Sequence, residues 1–373
     1  MKVLIAGDFV PRWRVATQIE SGDFQCMDEI KPILGDVDYA IVNFESPVVS
    51  HDAKPIAKTG PNLKCSPKAL QCIAHVGFDC VTLANNHFRD YGQVGVDDTL
   101  QACEQYNLDY VGGGHDEKES KKILYKSIKN KVLAIINVCE NEWSIASDTY
   151  GGANSMDVVR IARDIKEARA IADYVLVIIH GGIELYNLPT PRMKETYRFL
   201  IEQGSDAVVN HHQHCYSGYE VYQGKPIFYG VGNFCFDNEA YRGHAWNEGY
   251  MVQIDLEDEV GFTYIPYIQC DKEPRVCLIN DKEQINKSID VLNQIIADEE
   301  SLRDSYEKIV REHSKLLKRF EPYMRSRFLS KLWRMKLLPD TMDDRRSMMF
   351  LNYFRCESYR DILVSLLSQK IKK

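Results

Sequence analysis

Three of the chain's ten histidines fall within four positions, in Asn210-His211-His212-Gln213-His214-Cys215, directly after the apolar run Ala207-Val208-Val209. In an extended segment side chains alternate with period two, so His212 and His214 would face the same side and could share one metal ion. A polar loop with incidental histidines fits that stretch equally well when it is taken alone. The rest of the chain changes the balance, because oxygen and imidazole donors recur at the ends of other apolar runs.

Val3-Leu4-Ile5-Ala6 leads into Gly7-Asp8, residues 38–42 lead into Asn43-Phe44-Glu45-Ser46-Pro47, and residues 78–84 lead into Asn85-Asn86-His87. Residues 133–138 end near Glu140, 174–179 lead into His180-Gly181-Gly182, and 227–231 into Gly232-Asn233-Phe234. Continuous apolar runs suit strands buried on both faces, and in parallel sheets active residues gather at the strands' carboxyl ends. One Asn or Asp after a strand is commonly a turn or cap, and one histidine is more often a hydrogen-bonded group than a ligand. Five exits that together carry Asp8, Asn43, Glu45, Asn86, His87, His180, His212 and His214 exceed what turn preference explains. That donor set suits a divalent Zn, Mn or Fe ion.

The elements that must position these residues follow from periodicity. Helices are expected over about 25–34, 66–76, 94–106, 156–171 and 190–203, with Pro67 in a first helical turn after Ser66. Alternating strands and helices predict a layered α/β sheet, completed by an antiparallel hairpin over 246–270. A length of 373 residues with 45% hydrophobic content supports a large core, here divided as a domain over 1–275 and a helical extension over 281–373. No apolar run reaches transmembrane length, and Met1 to Asp8 lacks a signal peptide's apolar stretch, so a cytoplasmic chain is expected. The eleven cysteines form no CxxC pair and are expected to be reduced, Cys215 and Cys235 included, as small buried hydrophobes.

Taken in order, five segments resemble the CapA-type poly-γ-glutamate or capsule synthesis family, which is related to calcineurin-like metallophosphoesterases. They are Gly7-Asp8, Asn43-Phe44-Glu45-Ser46-Pro47, Ala84-Asn85-Asn86-His87-Phe88-Arg89-Asp90-Tyr91-Gly92, His180-Gly181-Gly182-Ile183-Glu184 and His211-His212-Gln213-His214. Gly112-Gly113-Gly114 and Gly232-Asn233-Phe234 also fit, and the resemblance runs from about residue 1 to 270. It implies a four-layer metallophosphoesterase-like α/β sandwich with a site for one or two divalent ions at the strand ends. By position, Asp8 would ligate one metal with His214, Glu45 would take the bridging place, and Asn86, His180 and His212 would serve the second. Protonated His87 would stand near the leaving group as general acid, oriented by Asp90. The chain departs from the wider phosphoesterase pattern at Val10, where a histidine is usual, and at Asn43-Phe44-Glu45, where a Gly-Asp pair is usual. Both departures belong to the CapA-type pattern, whereas Gln213 stands where that family usually has proline.

The resemblance implies a part in making or exporting a cell-surface polymer, through metal-assisted hydrolysis or transfer on a phosphoryl or amide-type substrate. The rival is a noncatalytic scaffold that binds polymer or organises a membrane biosynthesis complex; a nucleotide phosphodiesterase is a third reading. Lys58, Arg89 and Asn43 are candidates to hold an anionic polymer or phosphorylated precursor, and Glu184 to support His180 or act as a base.

Residues 281–373 carry 20 Lys and Arg against 15 Asp and Glu, so the body before them holds the acidic excess, which argues against nucleic-acid binding. Helical periodicity runs over 285–296 and 302–320. Met324, Phe328 and Leu332 then recur every four residues, with Leu329 and Met335 beside them, and Arg325, Arg327, Lys331 and Arg334 fill the other face before Pro339. Such a helix can lie peripherally on an anionic inner-membrane surface or pack on a partner. The commoner fate, and the expectation here, is that its apolar stripe docks on its own domain. Thr341-Met342-Asp343-Asp344 reads as a further helix start.

Overall fold

Along the strand Lys2–Val10, Val3 and Ile5 enter one apolar cluster while Leu4 and Ala6 enter another. Tyr39–Phe44 divides the same way, with Tyr39 and Ile41 on one side and Ala40 and Val42 on the other. Alternation with period two gives each strand two apolar faces, so both faces of this sheet must be covered. The computed structural model, which describes residues 1–314, 316, 326–338 and 342–371, shows how.

The first sheet has eight strands. Its order runs Val276–Leu278, Val260–Gln269, Glu248–Leu256, Lys2–Val10, Tyr39–Phe44, Cys80–Thr82 and Asp109–Val111, with Asn233–Phe236 also pairing with Lys2–Val10. The second runs Tyr219–Tyr222, Lys225–Phe228, Ala207–His211, Tyr174–His180, Lys131–Cys139 and Leu124–Ile128. Val3 and Ile41 of the first sheet share a cluster with Ile135 and Val177 of the second, which forms the inner layer. Helices Trp13–Ser21, Lys68–Val76 and Gly92–Gln105 cover the outer face of the first sheet through Ile19, Ile73 and Leu100. Val158–Arg169 and Pro191–Glu202 cover the second through Ile161, Ile165 and Leu200. The protein is therefore a four-layer α/β sandwich with a helical C-terminal region.

Register brings the strand exits together. Asp8 pairs with Asn43 on one side and Asn233 on the other, and His211 pairs with His180. The bulge between Ala6 and Asp8 depends on Gly7: a Cβ there would stand 2.0 Å from the Gly232 carbonyl oxygen. Any side chain at Gly7 would push Asp8 off this register.

Three local expectations are revised. Trp13–Ser21 is a helix that periodicity did not single out. Pro67 is the N-cap residue of Lys68–Val76, and Ser66 does not cap it because its hydroxyl donates to Glu20. The first sheet ends at Leu278, three residues past the boundary drawn at 275.

Helices Glu283–Ala297 and Glu299–Glu312 bury Ile285, Ile289, Leu302 and Val310 in the same cluster that fills the inter-sheet layer. Asp344–Arg355 and Glu357–Ile371 add Tyr353, Ile362 and Leu366. Arg327–Arg334 behaves otherwise: none of its side chains is buried, and Phe328 is 68% exposed. The expected docking of its stripe is not met at the described residues Phe328, Leu329 and Leu332, none of which is buried. Phe320, Met324, Arg325, Pro339 and Thr341 lie outside the described residues. Among the described residues no helix is long and apolar enough to cross a membrane.

Candidate metal centre

Two groups of buried side chains sit at the strand exits with their ligand-type atoms within 4.8 Å of one another: Glu45, His180 and His212, and Asp8, Glu45 and His214. Glu45 belongs to both. In the first group the His180 Nε2 lies 3.0 Å from His212 Nδ1, 3.1 Å from Asn86 Oδ1 and 3.4 Å from Glu45 Oε1. At most one proton can sit among those lone pairs, whereas a cation would satisfy all of them. The fit of a divalent ion is shown most directly by Glu45, which is fully buried and has no hydrogen bond to either carboxylate oxygen. Burying an ionised carboxylate without a partner costs several kcal/mol, so Glu45 either keeps a proton or faces a cation, and a divalent ion suits the surrounding donors.

Electrostatics divide the two carboxylates. Burial and the neighbouring Asp8 charge push the Glu45 carboxyl well above its usual range. Burial pushes Asp8 up as well, but the His211 and His214 imidazoles, 3.3 and 3.5 Å from its oxygens, outweigh it and hold Asp8 well below. Burial opposes a charge on His214, yet Glu45 and Asp8 overcome this and push it up to about 10. His180 is driven down by burial and by His212.

A ring of polar side chains holds the donors. Asn43 donates to Asp8 Oδ1 at 2.7 Å and lies 3.2 Å from His180 Nδ1, while Thr82 donates to Asn43 Oδ1 at 3.2 Å. Asn43 is 1% exposed, so its expected contact with substrate is replaced by a role in orienting ligand-type side chains. Asn233 Oδ1 lies 2.9 Å from His214 Nδ1. Val10 packs with Leu63, Phe236 and Trp246, so the position where an imidazole is usual is an apolar plug.

His212 and His214 do not alternate along a strand. The strand stops at His211, and both histidines have positive φ, 89° and 56°. Such backbone costs on the order of 1–3 kcal/mol per residue and persists where surroundings over-determine it. Gln213 does so by donating to the Tyr186 and Leu188 carbonyls at 2.7 and 3.1 Å, and Asn210 by donating to Gly181 O and Tyr229 O. The turn thus sends the two imidazoles to different groups, where period-two geometry alone allowed a shared ion.

A cavity of about 410 Å³ adjoins the cluster through Asn86 and His87, with Lys58 and Glu184 also in its lining. His87 Nδ1 is 2.7 Å from Asp90 Oδ2, and Lys58 pairs with Asp90 Oδ1. The expected protonated His87 meets an opposing field: burial and the Lys58 cation push it down to about 4, so the ring is neutral. Glu184 makes no hydrogen bond to His180, and burial notwithstanding, His214 and His212 hold its carboxyl below its usual value. Arg89 does not line the cavity; its guanidinium lies 4.0 Å over the Tyr150 ring. Three residues at the site lie outside the candidates named from the sequence. His211 stands inside the histidine motif, with Nδ1 3.3 Å from Asp8 Oδ1; Asn233 lies in a noted Gly-Asn-Phe segment; Glu142 lies in a loop with no pattern.

Residues 2–238 match the family model described as bacterial capsule synthesis protein PGA_cap. "Capsule biosynthesis protein CapA" of Bacillus anthracis is 33% identical over 237 residues, 61% of this chain and 57% of that protein. "PGA biosynthesis protein CapA" of Bacillus subtilis (strain 168) is 33% identical over 231 residues, 61% of this chain and 60% of that protein. The matches thus span less than two thirds of the length of these relatives. A solved structure of a putative 5'-nucleotidase from Staphylococcus aureus aligns with 78% of this chain and 58% of its own, at 14% identity and a TM-score of 0.42. A likeness of that size carries nothing about activity.

Proposed function

This chain belongs to the bacterial capsule synthesis protein family PGA_cap, and we propose that its buried cluster is a divalent-metal site serving hydrolysis or transfer at a phosphoryl or amide-type bond. The reaction would belong to the making or export of a cell-surface polymer, poly-γ-glutamate or capsule polysaccharide. Its substrate would be an anionic polymer or a phosphorylated precursor. The observation that carries the proposal is Glu45, a buried carboxylate with two unpartnered oxygens between two sets of donors.

Asp8 and His214 would hold one ion, Asn86, His180 and His212 the other, with Glu45 shared; Mn, Zn and Fe all suit the set. Bound ions of this kind act as Lewis acids, lowering the pKa of water and stabilising charge on the reacting oxygens. The side chains do the rest. Asn43 and Asn233 fix the imidazole planes, and Asp90 holds His87 by Nδ1 so that Nε2 is the atom left to exchange a proton with substrate. Lys58, already neutralised by Asp90, positions that pair more than it attracts an anion.

Metal analysis of the purified protein, with Asp8→Ala and His212→Ala alongside, tests this directly. One or two ions per chain, reduced in both variants, with metal-dependent turnover of a phosphodiester or polymer precursor, is expected. A native protein that binds no Mn, Zn or Fe and gains no thermal stability from them ends the proposal.

The scaffold reading has its own support in the Val10 plug and in the exposed, basic Arg327–Arg334 helix. It requires binding to anionic liposomes or a membrane partner and function that survives His87→Ala. Loss of cellular function in a folded, still-binding His87→Ala protein removes it.

A further inference from the structure

The cavity beside the cluster has a second side that the family match does not reach. Arg345, Met348, Asn352 and Tyr353, all on the helix Asp344–Arg355, line it together with Lys58 and His87. Residues 2–238 are the matched ones, so this wall is a feature of the chain beyond them.

The wall is fastened to the floor. Glu357, at the start of the last helix, accepts hydrogen bonds from the Asn141 backbone N–H at 2.9 Å and from Asn141 Nδ2 at 2.6 Å. Glu140 returns the arrangement, accepting from Ser358 Oγ at 2.9 Å, Ser358 N at 3.3 Å and Arg192 Nη2 at 2.6 Å. Glu140 and Asn141 directly follow the strand Lys131–Cys139, whose last residue is in register with His180. The turn between the two terminal helices is therefore set relative to the metal-site histidine by charge-assisted hydrogen bonds.

One feature of the wall is open to a ligand. Asn352 is not that feature: it is 3% exposed and its Nδ2 donates to Glu142 Oε2 at 3.4 Å, which ties the helix to the floor. Arg345 is the open group. Of the two cations lining the cavity, Lys58 is spent on Asp90, whereas among the described residues no carboxylate pairs with Arg345.

We propose that the terminal helices form a subsite for the part of the substrate beyond the reacting bond, taking an anionic group at Arg345. The proposal rests on the metal-site reading above and adds what that reading lacks, a determinant of which anion is accepted. An acidic amide chain and an acidic sugar both carry this chemistry.

Two ligand pairs that differ in one carboxylate separate the sources: phosphoserylglutamate against phosphoserylglutamine, and glucuronic acid 1-phosphate against glucose 1-phosphate. Calorimetric titration into the full-length, Mn-loaded protein should show the acidic member of one pair binding about fivefold or more tighter, as a single guanidinium–carboxylate contact provides. Arg345→Gln should bring that ratio to about one, and Arg345→Lys should restore part of it. The ratio responds to the contact and not to a general loss of packing, and Arg345 is exposed enough that its replacement leaves the fold intact. Ratios near one for both wild-type pairs, or a ratio unmoved by Arg345→Gln, overturn the subsite while inorganic phosphate still binds. If inorganic phosphate itself fails to bind the Mn-loaded protein, the metal-site reading falls and takes the subsite with it.

Discussion

The floor and the wall of the cavity are built by different physics. The floor is made of strand exits, where parallel register and a bulge at Gly7 bring Asp8, Asn43, Glu45, His180 and His212 within a few ångströms at near-zero exposure. Most of its polar groups are fixed by one another, and the Glu45 oxygens are among those left without hydrogen-bond partners. The wall is made of helix faces held by exchanged hydrogen bonds at Glu140, Asn141, Glu357 and Ser358, with Met348 and Tyr353 supplying adaptable apolar surface. A floor of that kind suits invariant chemistry at one bond. A wall of that kind can change its selectivity without disturbing the chemistry.

The comparison breaks first at Glu45. Glu45→Gln should abolish metal-dependent turnover and at the same time raise the stability of the metal-free protein at neutral pH by about 1–4 kcal/mol, because burial and Asp8 suppress the ionisation of Glu45 and that cost is absent for an amide. Calorimetry with and without Mn reads both; a destabilised metal-free variant would mean that Glu45 is paired by something other than an ion. His87→Ala should lower kcat by about 10²- to 10⁴-fold with bound metal unchanged, the loss expected of a proton-transfer group. Asn43→Ala and Asn233→Ala should each weaken metal affinity by about 10- to 100-fold, as partners of ligating imidazoles do; unaltered metal titrations would return both residues to simple packing.

Smaller effects distinguish the wall. Glu140→Gln should destabilise the protein by about 2–3 kcal/mol, since Arg192 and Ser358 lose a charged acceptor, and should relax ligand selectivity more than it lowers turnover. Denaturant unfolding and the ligand ratios described above would show it. At the edge of the floor, Asp237 accepts from Arg14 through both oxygens; burial raises its carboxyl, but those bonds and the Arg14 charge hold it below the usual value. Its contribution to stability is present above about pH 4 and is lost as pH falls through the lowered folded value. Asp237→Asn should flatten that part of the acid-unfolding curve.

Legibility followed the same division. Asp8, Glu45, Asn86, His180, His212 and His214 could be read as an ordered set because each follows an apolar run, and strand ends are where side chains leave the core. Glu142 and Arg345 could not be read, because the segments that bring them to the cavity have neither strand alternation nor a fixed distance from a motif. Arg89 and Asn43 are substrate candidates by their place in the motifs, but Arg89 lies over Tyr150 and Asn43 is buried between Asp8 and His180. Proximity in sequence says nothing about which way a side chain points off a tight turn.

By itself the sequence determined the layered architecture and the order of donors around the site, since buried strands must be apolar and their ends are the first polar positions available. Residue spacing did not determine how His212 and His214 are shared, although the family resemblance implied separate ions; the separation depends on two positive φ angles held by Gln213 and Asn210. Nor did it determine that residues 345–359 help line the cavity. That follows from the exchanged bonds among Glu140, Asn141, Glu357 and Ser358, more than two hundred positions apart, and only the folded chain brings them into contact.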